Sequence, residues 1–121
     1  MFQIETDKSK NLLHFSFSQH VTAEETTRWR SQICAALSAM QRGFTLLSDL
    51  SSLDLMDIEC APDIEWSMEA LDEAGIARVV RVIPDPRKDI GLNIMSQFHY
   101  RRGVKFVTCD TMEEALKILA E

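Results

Sequence analysis

Strand-like and helix-like segments alternate along this chain, and the alternation restricts its fold more than any other feature. At the N-terminus, apolar and polar residues alternate on both sides of a break at residues 7–11, which predicts a β-hairpin. Further strands are predicted at 44–50, 77–83 and 104–109, each between two helical segments. The order β-β-α-β-α-β-α-β-α predicts an α/β fold: a mostly parallel sheet with an antiparallel N-terminal edge strand, and helices packed on it.

The predicted helices have characteristic first turns. Thr22 with Glu25, and Thr111 with Glu114, have the spacing of a capping box, in which a hydroxyl and a carboxylate satisfy backbone N–H groups that lack a helical partner. Pro62 suits the first turn of the second helix. The third helix is predicted to begin at Pro86 and to place Ile90, Ile94 and Phe98 on one face. The last helix is predicted to have Met112, Ala115, Leu116 and Leu119 on its inner side.

The composition is typical of one folded domain spanning residues 1–121. Hydrophobic residues make up 45% of the chain, which is enough for an apolar core. No apolar run approaches the roughly 18 residues of a membrane span, and the charged N-terminus is unlike a signal peptide. We therefore expect a cytoplasmic protein. The three cysteines lack CxxC spacing, so we expect reduced thiols rather than disulfides or zinc ligands.

Charge is unevenly distributed along the chain. The formal net charge is −6, which argues against general affinity for nucleic acid or anionic membranes. Residues 49–73 contain nine acids and no Lys or Arg, whereas residues 76–105 contain seven bases and two acids. Two interpretations remain open: a charged surface that binds a partner, or ordinary solvated helix faces.

The candidate binding site lies where the predicted parallel strands end. In open parallel sheets, ligands bind beyond the carboxyl ends of the strands, and two loops, 49–62 and 84–88, follow such ends. The candidate binding residues are Asp49, Ser51, Asp57 and Glu59 in the first loop, and Asp85, Arg87 and Lys88 in the second. These side chains could share one polar site, or they could serve only in helix caps and turns.

Few residues are candidates for catalysis. Cys60 precedes a predicted helix, where the helix dipole lowers the pKa of a thiol, but Glu59 and Asp63 favour the neutral form. No histidine has a second Cys or His at metal-ligand spacing, and the sequence has no glycine-rich phosphate loop. We therefore expect a protein that is not an enzyme, with no catalytic residue, metal or cofactor.

Apolar residues also occur in the first loop. Leu53, Leu55, Met56 and Ile58 are interspersed with polar residues before Pro62. They could form an opening for a lipid tail or a small apolar ligand, or a self-association surface that makes a homodimer. Alternatively, they cover the top of the sheet, as buried apolar residues commonly do.

Several short motifs resemble those of a known family. Residues 49–57 have the sequence DLSSLDLMD, which resembles the start of the phosphorylation-site loop in STAS domains of the anti-anti-sigma factor class. Residues 77–83, 104–107 and 112–116 are similar to the SpoIIAA-like, STAS/SEC14-related family of small bacterial proteins. The resemblance implies a SpoIIAA-like (STAS) fold over essentially the whole chain.

The chain departs from the anti-anti-sigma factors at a functional position. Where they carry the phosphorylated Ser, this chain has Ile58, followed by Glu59, and Ser51 and Ser52 are not at the family's switch position. The leading hypothesis is a non-enzymatic STAS-like regulatory domain that binds a protein partner or small ligand and lacks the usual phospho-acceptor Ser. A SEC14-related carrier of lipid or another apolar small molecule is the alternative, and a thiol or acid–base enzyme is the third.

Overall fold

Five strands form one sheet in the computed structural model, which describes residues 1–85, 99–100 and 103–121. The strands are β1 (Phe2–Asp7), β2 (Leu12–Val21), β3 (Thr45–Met56), β4 (Arg78–Val82) and β5 (Lys105–Cys109). They lie side by side in chain order. β1 pairs antiparallel with β2, and all other neighbours pair in parallel. The predicted α/β fold, with a mostly parallel sheet and an antiparallel N-terminal edge strand, is confirmed.

The described residues contain three α-helices. These are α1 (Ala23–Ala36), α2 (Ala61–Glu73) and α3 (Met112–Ala120), with short 3₁₀ helices at Leu37–Ala39 and Ile58–Cys60. The helix predicted from Pro86 through Phe98 lies outside the described residues, and so do the candidate binding residues Arg87 and Lys88.

The predicted helix starts are confirmed where the structure describes them. The Thr22 hydroxyl accepts a hydrogen bond from the Glu25 N–H, and the Glu25 carboxylate accepts one from the Thr22 N–H, which completes the capping box of α1. Pro62 lies in the first turn of α2. At the start of α3, the Thr111 hydroxyl accepts a hydrogen bond from the Glu114 N–H. These contacts supply acceptors to N–H groups that a helix leaves unpaired at its start.

The apolar core has two parts, one on each face of the sheet. α1 and α2 cover the first face, where the most buried side chains include Phe17, Trp29, Ile33, Phe44 and Leu71. α3 covers part of the second face, where Ala115 packs in a cluster with Leu47, Val80, Val82 and Cys109. The sheet therefore separates a large core under two helices from a smaller one under α3.

The prediction that Leu116 lies on the inner side of α3 is wrong. Its side chain is 56% exposed, whereas Ala115 is fully buried. Successive residues of an α-helix point about 100° apart, so a helix that turns Ala115 to the sheet turns Leu116 away from it. Leu119, one turn after Ala115, is partly buried as predicted.

The prediction of a loop from residue 49 onward is wrong for residues 49–56, because β3 continues to Met56. β3 pairs with β4 only as far as Asp49, which is level with Val82. Beyond that point it pairs with β2, as far as Met56 opposite Val21. Hydrogen bonds to β2 therefore hold an extended segment whose Ser and Asp residues favour turns. The two strands project beyond the end of β4 as a two-stranded extension.

Candidate functional site

Asp57 lies at the end of the two-stranded extension, where β3 leads into α2. Its backbone N–H donates to the carbonyl of Val21 at 3.0 Å. Its carboxylate Oδ1 lies 2.7 Å from Nε2 of His20, near the end of β2. His20 and Asp57 could not be paired from the sequence, because they are 37 positions apart. Only the parallel register of β2 and β3 brings them together.

Asp49 and Ser51 lie far from Asp57 along the same strand. Eight residues separate Asp49 from Asp57, which in a strand corresponds to up to about 26 Å at about 3.3 Å per residue. The Asp49 carboxylate accepts hydrogen bonds from the Ser51 hydroxyl at 2.6 Å and from the Ser51 N–H at 3.0 Å. The two side chains therefore satisfy each other locally, and they do not join Asp57 and Glu59 in one compact site.

Asp85, the described member of the second candidate loop, is half-buried and has an interaction partner. It follows β4, whose last residue, Val82, is level with Asp49. Asp49 and Ser51 thus lie near the end of β4, whereas Asp57 and Glu59 lie at the end of the two-stranded extension. The five candidate residues that the structure describes therefore fall into an Asp49–Ser51 pair, an Asp57–Glu59 pair and Asp85 alone.

Two of the four apolar residues before Pro62 contact the core, and two do not. Leu53 and Met56 are partly buried against the main core cluster. Leu55 is 55% exposed and Ile58 is 84% exposed. Leu53 and Met56 therefore help to cover the sheet, whereas Leu55 and Ile58 stay on the surface.

Trp66 adds a third exposed apolar side chain near the start of α2. It is 42% exposed, and the guanidinium of Arg30, on α1, lies 4.6 Å from its ring centroid. A cation at this distance is attracted to the face of an indole ring. We call Leu55, Asp57, Ile58 and Glu59, at the end of the extension, the tip surface.

A buried carboxylate fixes the start of α2 against α1. Asp63 is 9% exposed, and its Oδ2 accepts hydrogen bonds from the hydroxyls of Thr26 at 3.0 Å and Thr27 at 3.2 Å. Its Oδ1 lies 3.3 Å from the Arg30 guanidinium. Hydrogen bonds to a charged acceptor are stronger than those between neutral groups. These contacts hold the helix that carries Trp66 in place beside the extension.

Several acids of residues 49–73 have partners in the fold. Nδ1 of His99 lies 3.0 Å from Glu69, and its Nε2 lies 4.0 Å from Glu65. Asp63 is paired with Arg30. Glu59 is exposed and makes no ion pair with a described residue, so its full charge remains beside Ile58.

Cys60 does not have the surroundings of a nucleophile. Its thiol is fully buried and donates to the carbonyl of Val21 at 3.6 Å. Burial raises the pKa of this thiol, and the charges of Asp57 and Asp63 act in the same direction, against a smaller lowering by the Thr26 hydroxyl. At neutral pH the thiol therefore stays protonated, which disfavours nucleophilic chemistry.

A small cavity lies inside the core between the sheet and the two helices that cover it. Its volume is about 40 Å³, and its lining includes Trp29, Ser48, Ser67, Arg81 and Tyr100. Cavities that bind benzene measure about 150 Å³, so this one is much too small for a lipid chain. The Ser67 hydroxyl and the indole N–H of Trp29 are buried and have no hydrogen-bond partner among the described residues.

Tyr100 lines the same cavity, and its phenol is buried. Burial raises the pKa of this phenol far above its ordinary value. The charge of Asp72 acts in the same direction, and that of Arg81 opposes it. The cavity wall therefore carries a neutral phenol at every physiological pH.

The described residues contain neither a cluster of metal ligands nor a helix that could span a membrane. No three or more His, Cys, Asp or Glu side chains converge there as metal ligands would. Among the helices of the same residues, none combines the length and apolarity needed to cross a bilayer.

The architecture of the chain is similar to that of several solved structures. No model of a protein family and no curated protein matches the chain. The unphosphorylated anti-sigma factor antagonist SpoIIAA is similar at a TM-score of 0.68 and 20% identity, over 99% of this chain and 98% of that one. An uncharacterised protein of the DUF3478 family from Shewanella loihica, described as having a SpoIIAA-like fold, is similar at a TM-score of 0.71 and 18% identity, over 98% of this chain and 92% of that one. An anti-sigma factor antagonist from Mycobacterium paratuberculosis is similar at a TM-score of 0.63 and 17% identity, over 100% of this chain and 94% of that one. At these identities the similarity shows the fold, and the chain therefore has the SpoIIAA-like, or STAS, fold.

Proposed function

We propose that the chain is a STAS-like regulatory domain that binds a protein partner through its tip surface. The observation that carries the proposal is Ile58, which is 84% exposed between the carboxylates of Asp57 and Glu59. Exposed apolar patches with a polar rim are typical of protein-binding surfaces. The partner surface that fits has an apolar recess bordered by Lys or Arg.

The similarity to SpoIIAA and to another anti-sigma factor antagonist supports a regulatory role through a protein partner. SpoIIAA has also been solved in a phosphorylated form. By its resemblance to that family, this chain has Ile58 where the phospho-acceptor Ser would be, and isoleucine has no hydroxyl to modify. We therefore propose binding that phosphorylation at this position does not switch, with Glu59 providing a permanent negative charge.

The carrier and enzyme hypotheses have less support. The cavity of about 40 Å³ has no room for an acyl chain. The thiol of Cys60 is buried, and its pKa is raised. A second copy of the chain remains one candidate partner for the tip surface, since Leu55 and Ile58 are exposed apolar side chains in the single chain.

Site-specific photo-crosslinking in the cell tests the proposal. A photoreactive amino acid at position 58 should form a cross-linked adduct, whereas the same amino acid at the exposed position of Lys8, in the β1–β2 turn, should not. The double variant Asp57→Lys/Glu59→Lys should abolish the adduct. The matched double variant Glu24→Lys/Glu113→Lys, at two exposed helix positions, should leave it unchanged.

The mass of the adduct identifies the partner. An adduct of twice the chain mass would assign the tip surface to a homodimer, and a different mass would assign it to another protein. Equal cross-linking from positions 58 and 8, or an adduct that survives reversal of both tip charges, would refute binding through the tip surface.

A further inference from the structure

Three cationic residues line one groove at the amino-terminal end of the parallel strands, opposite the tip surface. Arg42 precedes β3, Arg78 is the first residue of β4, and Lys105 is the first residue of β5. They line a groove of about 570 Å³, together with the backbone around Gly43 and Gly75. Binding sites for small molecules commonly measure about 300–1,000 Å³. No Asp or Glu is among the described residues that line this groove.

The fold places two of these charges side by side without neutralising them. Arg78 and Lys105 are partners in the parallel register of β4 and β5, so they project from the same face of neighbouring strands. Neighbouring strands are about 4.8 Å apart, and like charges facing each other across a sheet are destabilising. Neither residue forms an ion pair with a described residue, although the chain has 19 acids.

Arg42 is held in position at the edge of the groove. Its Nη1 donates a hydrogen bond to the carbonyl of Glu73 at 3.2 Å. Its side chain lies across Gly75, where an added Cβ would come within 3.0–3.1 Å of Arg42 atoms. A guanidinium has five N–H donors, so the remaining donors of Arg42 are available to a ligand.

We propose that this groove binds a small phosphate-bearing anion. Guanidinium groups recognise phosphate oxygens with paired hydrogen bonds, and an ammonium group adds a mobile point charge. An anion with two or more negative charges would reduce the repulsion between Arg78 and Lys105, and Arg42, which lines the same groove, supplies a third positive charge. The site is independent of the proposed partner binding, because it lies at the other end of the sheet.

Thermal shift and titration calorimetry with inorganic phosphate and pyrophosphate test this site. Pyrophosphate should raise the unfolding temperature of the wild-type chain, because a ligand that binds only the folded state stabilises it. In the double variant Arg78→Gln/Lys105→Gln, which keeps two polar side chains, affinity should fall by at least about tenfold, since two hydrogen bonds to a charged group are lost. The control Arg28→Gln/Lys117→Gln removes the same charge from two exposed i,i+4 pairs and should bind as the wild type does.

Vesicles distinguish a free phosphate compound from a lipid headgroup. If vesicles containing phosphatidylinositol phosphate bind the chain and pyrophosphate competes with them, the phosphate belongs to a lipid. If only soluble pyrophosphate binds, the ligand is a free small molecule. Absence of saturable pyrophosphate binding, or an equal loss of affinity in the control variant, would refute the proposal. Unfolding curves of both variants without ligand show whether each still folds.

Discussion

Removal of the Asp63 carboxylate should weaken the contact between α1 and α2 by an amount that the structure allows us to estimate. The carboxylate accepts from the hydroxyls of Thr26 and Thr27, and both hydroxyls also lie within hydrogen-bond distance of the Ala23 carbonyl. In Asp63→Ala each hydroxyl keeps an acceptor, so no buried donor is left unpaired. Each lost bond should therefore contribute about 1.5 kcal/mol, the lower end of the range for a charged acceptor.

The ion pair with Arg30 adds little to this sum. The Arg30 side chain is 40% exposed, and it keeps its contact with Trp66. Pairs with this exposure contribute about 0–1 kcal/mol. The expected loss for Asp63→Ala is therefore about 3 kcal/mol. For a chain of 121 residues, an unfolding entropy of about 2.1 cal/mol/K per residue converts that loss to a fall in Tm of about 12 °C.

Urea unfolding and calorimetry measure the effect. Asp63→Asn keeps one acceptor oxygen and should lose about half as much stability, because its hydrogen bonds are no longer charge-assisted. The control Glu73→Ala removes an exposed carboxylate from the same helix and should change stability by no more than about 0.5 kcal/mol. A double-mutant cycle with Thr26→Val should give a coupling energy above about 0.5 kcal/mol. A loss below about 1 kcal/mol for Asp63→Ala, or no coupling to Thr26, would refute the assigned role.

Three further predictions concern the core, the turns and the thiols. Ser67→Ala should raise stability by about 1 kcal/mol, because it removes a buried hydroxyl that has no partner among the described residues; a loss of stability in urea unfolding would contradict this. Gly43→Ala should lower the free energy of unfolding by about 1–2 kcal/mol, because the residue has φ of +92°. Gly75→Ala should lower it further, because at the same φ the new Cβ would also meet the Arg42 side chain; equal losses in the two variants would contradict this. A thiol reagent should label exposed Cys34 well before buried Cys60, and equal labelling rates would contradict this. The free energy of unfolding should fall as pH rises above about 8.5, because the folded chain holds the Cys60 proton at a pH where the unfolded chain releases it; an unchanged stability at alkaline pH would contradict this.

The helices could be predicted from the sequence because their signals are local. The hydroxyl of Thr22 and the carboxylate of Glu25 are three residues apart, and each supplies the contact that the spacing predicts. The mostly parallel sheet could be predicted from the alternation of strands with helices, because strands joined through a helix usually lie parallel. Leu116 was misplaced because successive residues of a helix point about 100° apart, so the burial of Ala115 turns its neighbour away from the sheet.

The extent of β3 could not be predicted, because its last residues are held by a distant strand. Ser51, Ser52 and Asp54 have the composition of a turn, yet the segment stays extended because it pairs with β2 as far as Met56. The register shifts in β2, between Ser16 and Ser18 and between Gln19 and His20, also break the simple alternation of faces.

For the candidate site, the same extension had two consequences that the sequence analysis did not foresee. It separates Asp57 from Asp49, so the polar residues of the first loop do not form one site. It also brings His20, from the other strand, to the Asp57 carboxylate. The exposure of Ile58 likewise depends on where the extension ends, and local sequence does not specify that point.

The net charge of −6 conceals two regions of opposite sign that the parallel sheet holds apart. Arg78 is level with Thr45, the first residue of β3, whereas the tip surface begins at Leu55, next to the last residue of β3, Met56. Twelve residues of strand span about 36 Å at about 3.3 Å per residue. The Debye length at physiological ionic strength is about 8 Å, so charges at one end have almost no direct electrostatic effect on a ligand at the other. Charge reversal at the tip surface should therefore leave pyrophosphate binding unchanged, and neutralising Arg78 and Lys105 should leave cross-linking from position 58 unchanged. If either change affected the distant site, the coupling would have to pass through a rearrangement of the sheet or its helices rather than through the electrostatic field.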